Sequence, residues 1–121
     1  MTLQVRPSDF PAWRASLPAE GAEKALPIVL DVREPWELQT ASVTPDGFRL
    51  VAIPMREVPA RLAELQADGE LDQPIACLCH HGMRSQQVAN YLVQNGFSSV
   101  VNLQGGIDAW SAEFDPGVPR Y

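Results

Sequence analysis

Cysteine is scarce in this chain. Only Cys77 and Cys79 occur in 121 residues, so no disulfide framework of the secreted kind can be built. Positive charge is scarce as well. Nine Lys and Arg face fifteen Asp and Glu, and the net charge of −6 argues against nucleic acid or an anionic membrane surface as the main partner. No apolar run approaches the roughly 20 residues of a membrane span. The opening MTLQVRPSDF lacks a basic segment leading into an apolar one, so a cytoplasmic location with reduced thiols is expected. Repeats and low-complexity tracts are absent, and the eleven prolines are scattered rather than gathered into a linker. What remains is a chain of one-domain size. Its 45% hydrophobic residues predict a single domain over residues 1–121, with a core that needs neither disulfide nor metal staples.

Apolar runs at residues 3–5, 28–32, 50–53, 75–78 and 99–103 predict five short strands. They are rich in Val, Ile and Leu and show little polar alternation, which suits a parallel sheet covered on both faces. Helical patterns lie between them. Ser8 is placed to cap a helix running to Leu17 with Pro11 in its first turn. Residues 34–38 predict a brief helix, and 58–65 put Val58, Leu62 and Leu65 on one face. The clearest helix spans 84–95, with Val88, Tyr91, Leu92 and Asn95 at core spacing and Gly96 just past its end. Alternating strands and helices predict an α/β domain, a five-stranded, mainly parallel sheet flanked by helices on both faces. Sites in such sheets lie off the carboxyl ends of the strands, which points to residues 31–33, 79–85 and 104–106.

Of these, the stretch after Cys79 carries the most chemistry. A buried strand delivers the thiol to its carboxyl end, the loop His80, His81, Gly82 and Met83 follows, and Arg84 and Ser85 open the long helix. An ordinary thiol is only a few per cent thiolate at neutral pH. A helix N-terminus, converging loop amides and a guanidinium each favour the anion, and Gly82 can take the backbone conformation that lets amides converge. A lone cysteine at a strand end is usually a small buried hydrophobe. The glycine three residues on, the arginine five residues on and the helix start together favour a reactive Cys79.

The string Cys79-His80-His81-Gly82-Met83-Arg84-Ser85 resembles the C-x-x-G-x-R-S active-site loop of rhodanese-like domains. The likeness continues in Leu30-Asp31-Val32-Arg33-Glu34 with Trp36-Glu37, in Ala52-Ile53-Pro54, and in Leu103-Gln104-Gly105-Gly106-Ile107 with Trp110, spanning residues 28–110 in the family's order. The resemblance implies a single-domain sulfurtransferase that needs no cofactor or metal. A sulfane sulfur would pass from thiosulfate or a related donor to a thiophilic acceptor, cyanide or a thiol, through a persulfide on Cys79. Carried over by position, Cys79 is the nucleophile. The backbone of His80, His81, Gly82, Met83, Arg84 and Ser85 would cradle the sulfur, with Arg84 fixing the loop and adding positive potential. Arg33 matches an arginine that binds the donor anion in some members; its other reading is a structural ion pair with a carboxylate such as Glu37. Asp31 would tie loops together by hydrogen bonds. Between residues 37 and 53 the chain departs from the G-H-I-P-G-A stretch many members carry, and reads LQTASVTPDGFRL after Glu37.

Other readings stand beside these. His80 and His81 either support an anionic sulfur when protonated or face outward, leaving only their amides at work. Cys77 is a core residue or a resolving thiol, although strand geometry sets it about 7 Å from Cys79, too far for an unstrained bridge. A metal site from Cys77, Cys79, His80 and His81 is disfavoured, because adjacent residues rarely converge on one ion. A phosphatase or arsenate reductase is the competing enzyme, yet those place five residues between Cys and Arg where this chain has four. The competing non-enzyme is a persulfide relay or thiol sensor docked on a protein sulfur acceptor.

Overall fold

Short apolar runs without polar interruption can be buried on both sides, and the chain uses its central strands in this way. The computed structural model describes residues 3–17, 26–66 and 71–120. Its strands are β1 (Leu3–Val5), β2 (Ile28–Asp31), β3 (Arg49–Ala52), β4 (Ile75–Leu78) and β5 (Val100–Leu103). They form one sheet in the order β1-β5-β4-β2-β3, and every pair is parallel. The three inner strands are buried at every position, whereas the edge strands β1 and β3 are partly exposed.

Alternate residues of the inner strands serve two different cores. Ile28, Leu30, Ile75, Cys77 and Val100 face one side, together with Cys79, Val88, Ala89 and Leu92. Val29, Ala76, Leu78, Val101 and Leu103 face the other, against Phe10, Phe48, Ile107 and Trp110. Four α-helices accompany the sheet: α1 (Phe10–Ala15), α2 (Pro35–Thr40), α3 (Met83–Gln94) and α4 (Gly106–Glu113). Helix α3 covers the first face and α4 the second. Among the described residues, no helix is long and apolar enough to cross a membrane.

Three helical expectations are corrected. Ser8 does not cap α1; it lies inside a 3-10 turn, Pro7–Asp9, and Asp9 precedes the helix without a side-chain cap. Residues Met55–Leu65 form a 3-10 segment with a kink at Arg61, because Pro59 removes a backbone donor from its middle. Val58 and Leu65 are still buried there, with Leu62 only partly so. Helix α3 starts at Met83 and Asn95 is its exposed C-cap, its Nδ2 donating to Tyr91 O at 2.8 Å. The helix closes with Gly96 N donating to Val93 O and Phe97 N to Leu92 O, both 3.1 Å, a Schellman ending that folds Phe97 back onto the core.

Strand β2 lies between β3 and β4, so the chain runs outward to β3 and then crosses back to β4. This reversal puts the carboxyl ends of β2 and β4 side by side, with Asp31 opposite Leu78. Such a switch point leaves a crevice beyond the strand ends, and Cys79 is the first residue to enter it. On the α4 face, Phe10 packs against Trp13, Phe48, Trp110 and Phe114 with ring centroids 5.1–6.1 Å apart. Replacing Phe10 by Ala should therefore cost about 3–5 kcal/mol. Urea unfolding would show this as a lower midpoint at unchanged slope.

Candidate active site

Strand β4 ends at Leu78 and hands Cys79 into a tight loop that becomes α3 within four residues. The thiol is buried, with 1% of its surface exposed. Gly82 N donates to Cys79 Sγ at 3.0 Å, and Ser85 Oγ, in the first turn of α3, lies 3.4 Å from the same sulfur. Gly82 has φ +98°, a conformation other residues rarely adopt, and this turns its N–H back onto the sulfur three residues earlier.

Helix α4 holds the loop from outside. Ile107 N donates to Cys79 O at 2.8 Å, and Asp108 N donates to His80 O at 3.1 Å. In a trans peptide the C=O and the next N–H point in opposite directions. Drawing these two carbonyls toward α4 turns the amides of His80 and His81 toward the α3 side of the sheet, where Cys79 packs. The approach is so close that a Cβ on Gly106 would sit 2.4 Å from both carbonyl oxygens. The Gly105–Gly106 pair thus docks one helix on the backbone of the reactive loop.

The charged residues form pairs. Arg84 donates to Glu37 through two nitrogens, at 2.8 and 2.9 Å, and Glu37 is only 3% exposed. Glu37 also accepts from Glu34 N at 3.0 Å, which caps α2 and ties the helix start to the loop. Arg33 is fully buried and forms an ion pair with Asp31. Its guanidinium donates to Asp31 at 2.6–3.1 Å and to the carbonyls of Ala41 and Glu37. Asp31 additionally accepts from Arg33 N, closing the turn after β2.

His80 and His81 stack with ring centroids 3.9 Å apart; His80 is half-buried and His81 exposed. Both rings add positive potential to Asp108, whose carboxyl is held low chiefly by its hydrogen bond from Arg120. Met83 is 77% exposed. Cys77 lies in the core opposite Leu30 and Asn102, and burial pushes its thiol far up, with the neighbouring Cys79 adding to the effect. Among the described residues, no three His, Cys, Asp or Glu side chains gather as metal ligands would.

Two contributors escape the sequence reading. Glu37 appears there as part of the family pattern and as a partner for Arg33, and its bridge to Arg84 depends on where α2 sits. Asn102 has a visible signal, since it is a carboxamide inside the run Val-Val-Asn-Leu, and buried polar groups in such runs need partners. It accepts from Ser85 Oγ at 2.5 Å and donates to Gly82 O at 3.1 Å and Gln4 Oε1 at 2.9 Å.

Because Glu37 is buried and doubly bound, Arg84→Ala and Glu37→Ala should each lower stability by about 2–3 kcal/mol. The double variant should lose clearly less than the sum, measured by denaturant unfolding in a double-mutant cycle. Additive losses would mean that the two side chains do not act as a unit.

The family comparison covers most of the chain. The model of the rhodanese-like domain family matches residues 15–113. The chain is 36% identical over 93 residues to thiosulfate sulfurtransferase GlpE of Pseudoalteromonas translucida, covering 77% of this chain and 81% of that protein. It is 39% identical over 93 residues to rhodanese-like/PpiC domain-containing protein 12, chloroplastic, of Arabidopsis thaliana, again over 77% of this chain, but it spans only 30% of that longer protein. The crystal structure of a rhodanese-related protein from Thermoplasma volcanium superposes with a TM-score of 0.69 at 30% identity, over 98% of this chain and 99% of the other. With loop, sheet order and sequence in agreement, this chain belongs to the rhodanese-like domain family.

Proposed function

We propose that the protein is a sulfurtransferase that takes a sulfane sulfur from thiosulfate or a related donor onto Cys79 and passes it to a thiophilic acceptor, cyanide or a thiol. The observation that carries this reading is the enclosure of Cys79 Sγ, with Gly82 N at 3.0 Å and the neighbouring carbonyls drawn away by α4. The similarity to a protein named thiosulfate sulfurtransferase supports it.

In the first half-reaction the Cys79 thiolate attacks the outer sulfur of thiosulfate. The donor S–S bond breaks, sulfite leaves with the electron pair, and Cys79 becomes a persulfide. In the second, the acceptor attacks the terminal sulfur and Cys79 leaves as thiolate. Loop amides at the start of α3 favour negative charge at the sulfur throughout. The sulfur travels covalently, so the transfer needs no cofactor, and a cytoplasmic setting keeps the thiol reduced. The same charge balance that disfavours nucleic acid and membrane leaves small sulfur compounds or a protein sulfur acceptor as partners.

A phosphatase fits less well. Arg84 has two of its nitrogens on Glu37, and the loop has four residues between Cys79 and Arg84. A tetrahedral phosphate wants a guanidinium turned toward its oxygens. A relay to a protein acceptor has one specific observation in its favour. Met83 (77% exposed) and Trp36 (64% exposed) directly precede the paired Arg84 and Glu37, giving a protein an apolar surface beside the loop.

The test is intact-protein mass spectrometry after incubation with thiosulfate, followed by cyanide and detection of thiocyanate. Wild type should gain one sulfur atom and lose it to cyanide, while Cys79→Ser folds but gains none. Cyanide-labile sulfur on Cys79→Ser would sink the assignment. Failure of wild type to load from thiosulfate, with loading from a protein persulfide, would favour the relay. Gly106→Ala should slow transfer about a hundredfold by shifting α4 off the loop carbonyls; unchanged steady-state kinetics would show that this contact is dispensable.

A further inference from the structure

Asn102 is 2% exposed, lies on the α3 face of β5 and plays no part in the mechanism above. Its hydrogen bonds fix which way its amide points. Gly82 O can only accept, so the nitrogen of Asn102 must face it, and Gln4 Oε1 takes a second amide hydrogen. The oxygen therefore faces Ser85 Oγ, 2.5 Å away. That oxygen also only accepts, and the Ser85 hydroxyl has a single hydrogen to give. Ser85 consequently donates to Asn102 and turns a lone pair toward Cys79 Sγ at 3.4 Å. A lone pair there accepts from an S–H group and offers nothing to a sulfur anion.

We propose that Asn102 is a positioning residue that holds the Ser85 hydroxyl with a lone pair toward Cys79, so that this hydroxyl must turn before it can donate to a sulfur anion. The inference rests on the reading of Cys79 as the reacting sulfur. When the thiolate forms, the hydroxyl must turn to donate to it, and this leaves a buried carboxamide oxygen without its short bond. The latch thus works against the preference that the loop amides give the anion, while the Gly82 amide continues to hold the sulfur in place. The latch is anchored at the other end of the chain. Gln4 in β1 accepts from Asn102 and donates to Gln86, whose own amide donates to Asn90 at 3.0 Å. Every member of this string is uncharged, so it restrains the hydroxyl without placing a net charge near the sulfur.

Charged groups around the loop come from several elements. They are Arg84 of α3 with Glu37 of α2, Asp31 with Arg33 after β2, and His80 and His81 of the loop itself. Asp108 of α4 pairs with Arg120, and Arg6, beside Gly105, pairs with Glu113. None of them hydrogen-bonds to Asn102 in the contacts described above. Their influence on Cys79 is therefore shared by wild type and Asn102 variants and cancels in the comparison.

The experiment measures the rate of Cys79 alkylation by iodoacetamide against pH, read by peptide mass spectrometry, with buried Cys77 as internal control. Asn102→Ala, and the nearly isosteric Asn102→Leu should Ala fail to fold, are expected to alkylate about tenfold faster at neutral pH, with the rate profile moved to lower pH. Adding Ser85→Ala to either should remove that gain, because the freed hydroxyl is what now donates to the anion. An unchanged or slower rate overturns the proposal. So does a gain that survives Ser85→Ala, or one matched by faster labelling of Cys77, which marks simple loosening. Sulfur loading from thiosulfate is scored separately. A wild type that takes no sulfur but shows the alkylation pattern defeats the transferase reading and leaves the latch standing; the opposite pair of results does the reverse.

Discussion

The contact on which the site depends is made by backbone alone. Helix α4 sits against the Cys79 loop so closely that no side chain fits at Gly106, and its first amides take the carbonyls of Cys79 and His80. Once those carbonyls point to α4, the peptide planes are set, and the following amides point the other way. Gly82 completes the turn with its own amide on the sulfur. Because α4 also carries Ile107 and Trp110 into the second core, the packing that stabilises the sheet is the packing that orients the loop. Stability and site geometry are therefore not separable here.

The same arrangement decides what surrounds the sulfur in a chain of net charge −6. The two arginines that the sequence places near the thiol are both paired with carboxylates, Arg33 with Asp31 and Arg84 with Glu37. Each of them also ties two elements together. Arg33 ties the turn after β2 to the carbonyl of Ala41, and Arg84 ties the start of α3 to α2. The peptide dipoles nearest the sulfur are those of the loop and the start of α3, with the Gly82 amide on Sγ itself. Such dipoles do not titrate, and inside a buried loop salt screens them little.

Much of this was legible in the sequence because it is local. The inner strands declare themselves by uninterrupted Val, Ile and Leu. The Cys79 loop declares itself by the spacing of Gly82 and Arg84 and by the helical pattern that follows. What was not legible depends on distance across the fold. The partner of Arg84 lies 47 residues away, and that of Asn102 in β1 lies 98 residues away. No periodicity encodes such pairings. The 3-10 geometry of Met55–Leu65 was hidden for a different reason: its apolar spacing is helical, and only Pro59 warns that the hydrogen bonds are not. The segment that departs from the family pattern nonetheless buries Ala41, Val43 and Phe48 in the second core. It also supplies the Ala41 carbonyl that Arg33 binds.

These long separations bear on what counts as the site. The loop of residues 79–85 looks self-contained as a motif, yet several of its restraints come from elsewhere. Helix α2 holds Arg84, α4 holds the Cys79 and His80 carbonyls, and β5 holds Ser85 and Gly82 through Asn102, which β1 steadies through Gln4. Strand β1 is three residues long, on the sheet edge and half-exposed, so its own burial contributes little. Its pairing with β5 does more by bringing Gln4 level with Asn102. The Cys79 sulfur is thus held by elements from β1 to α2, and its surroundings belong to the assembled domain rather than to the heptapeptide alone.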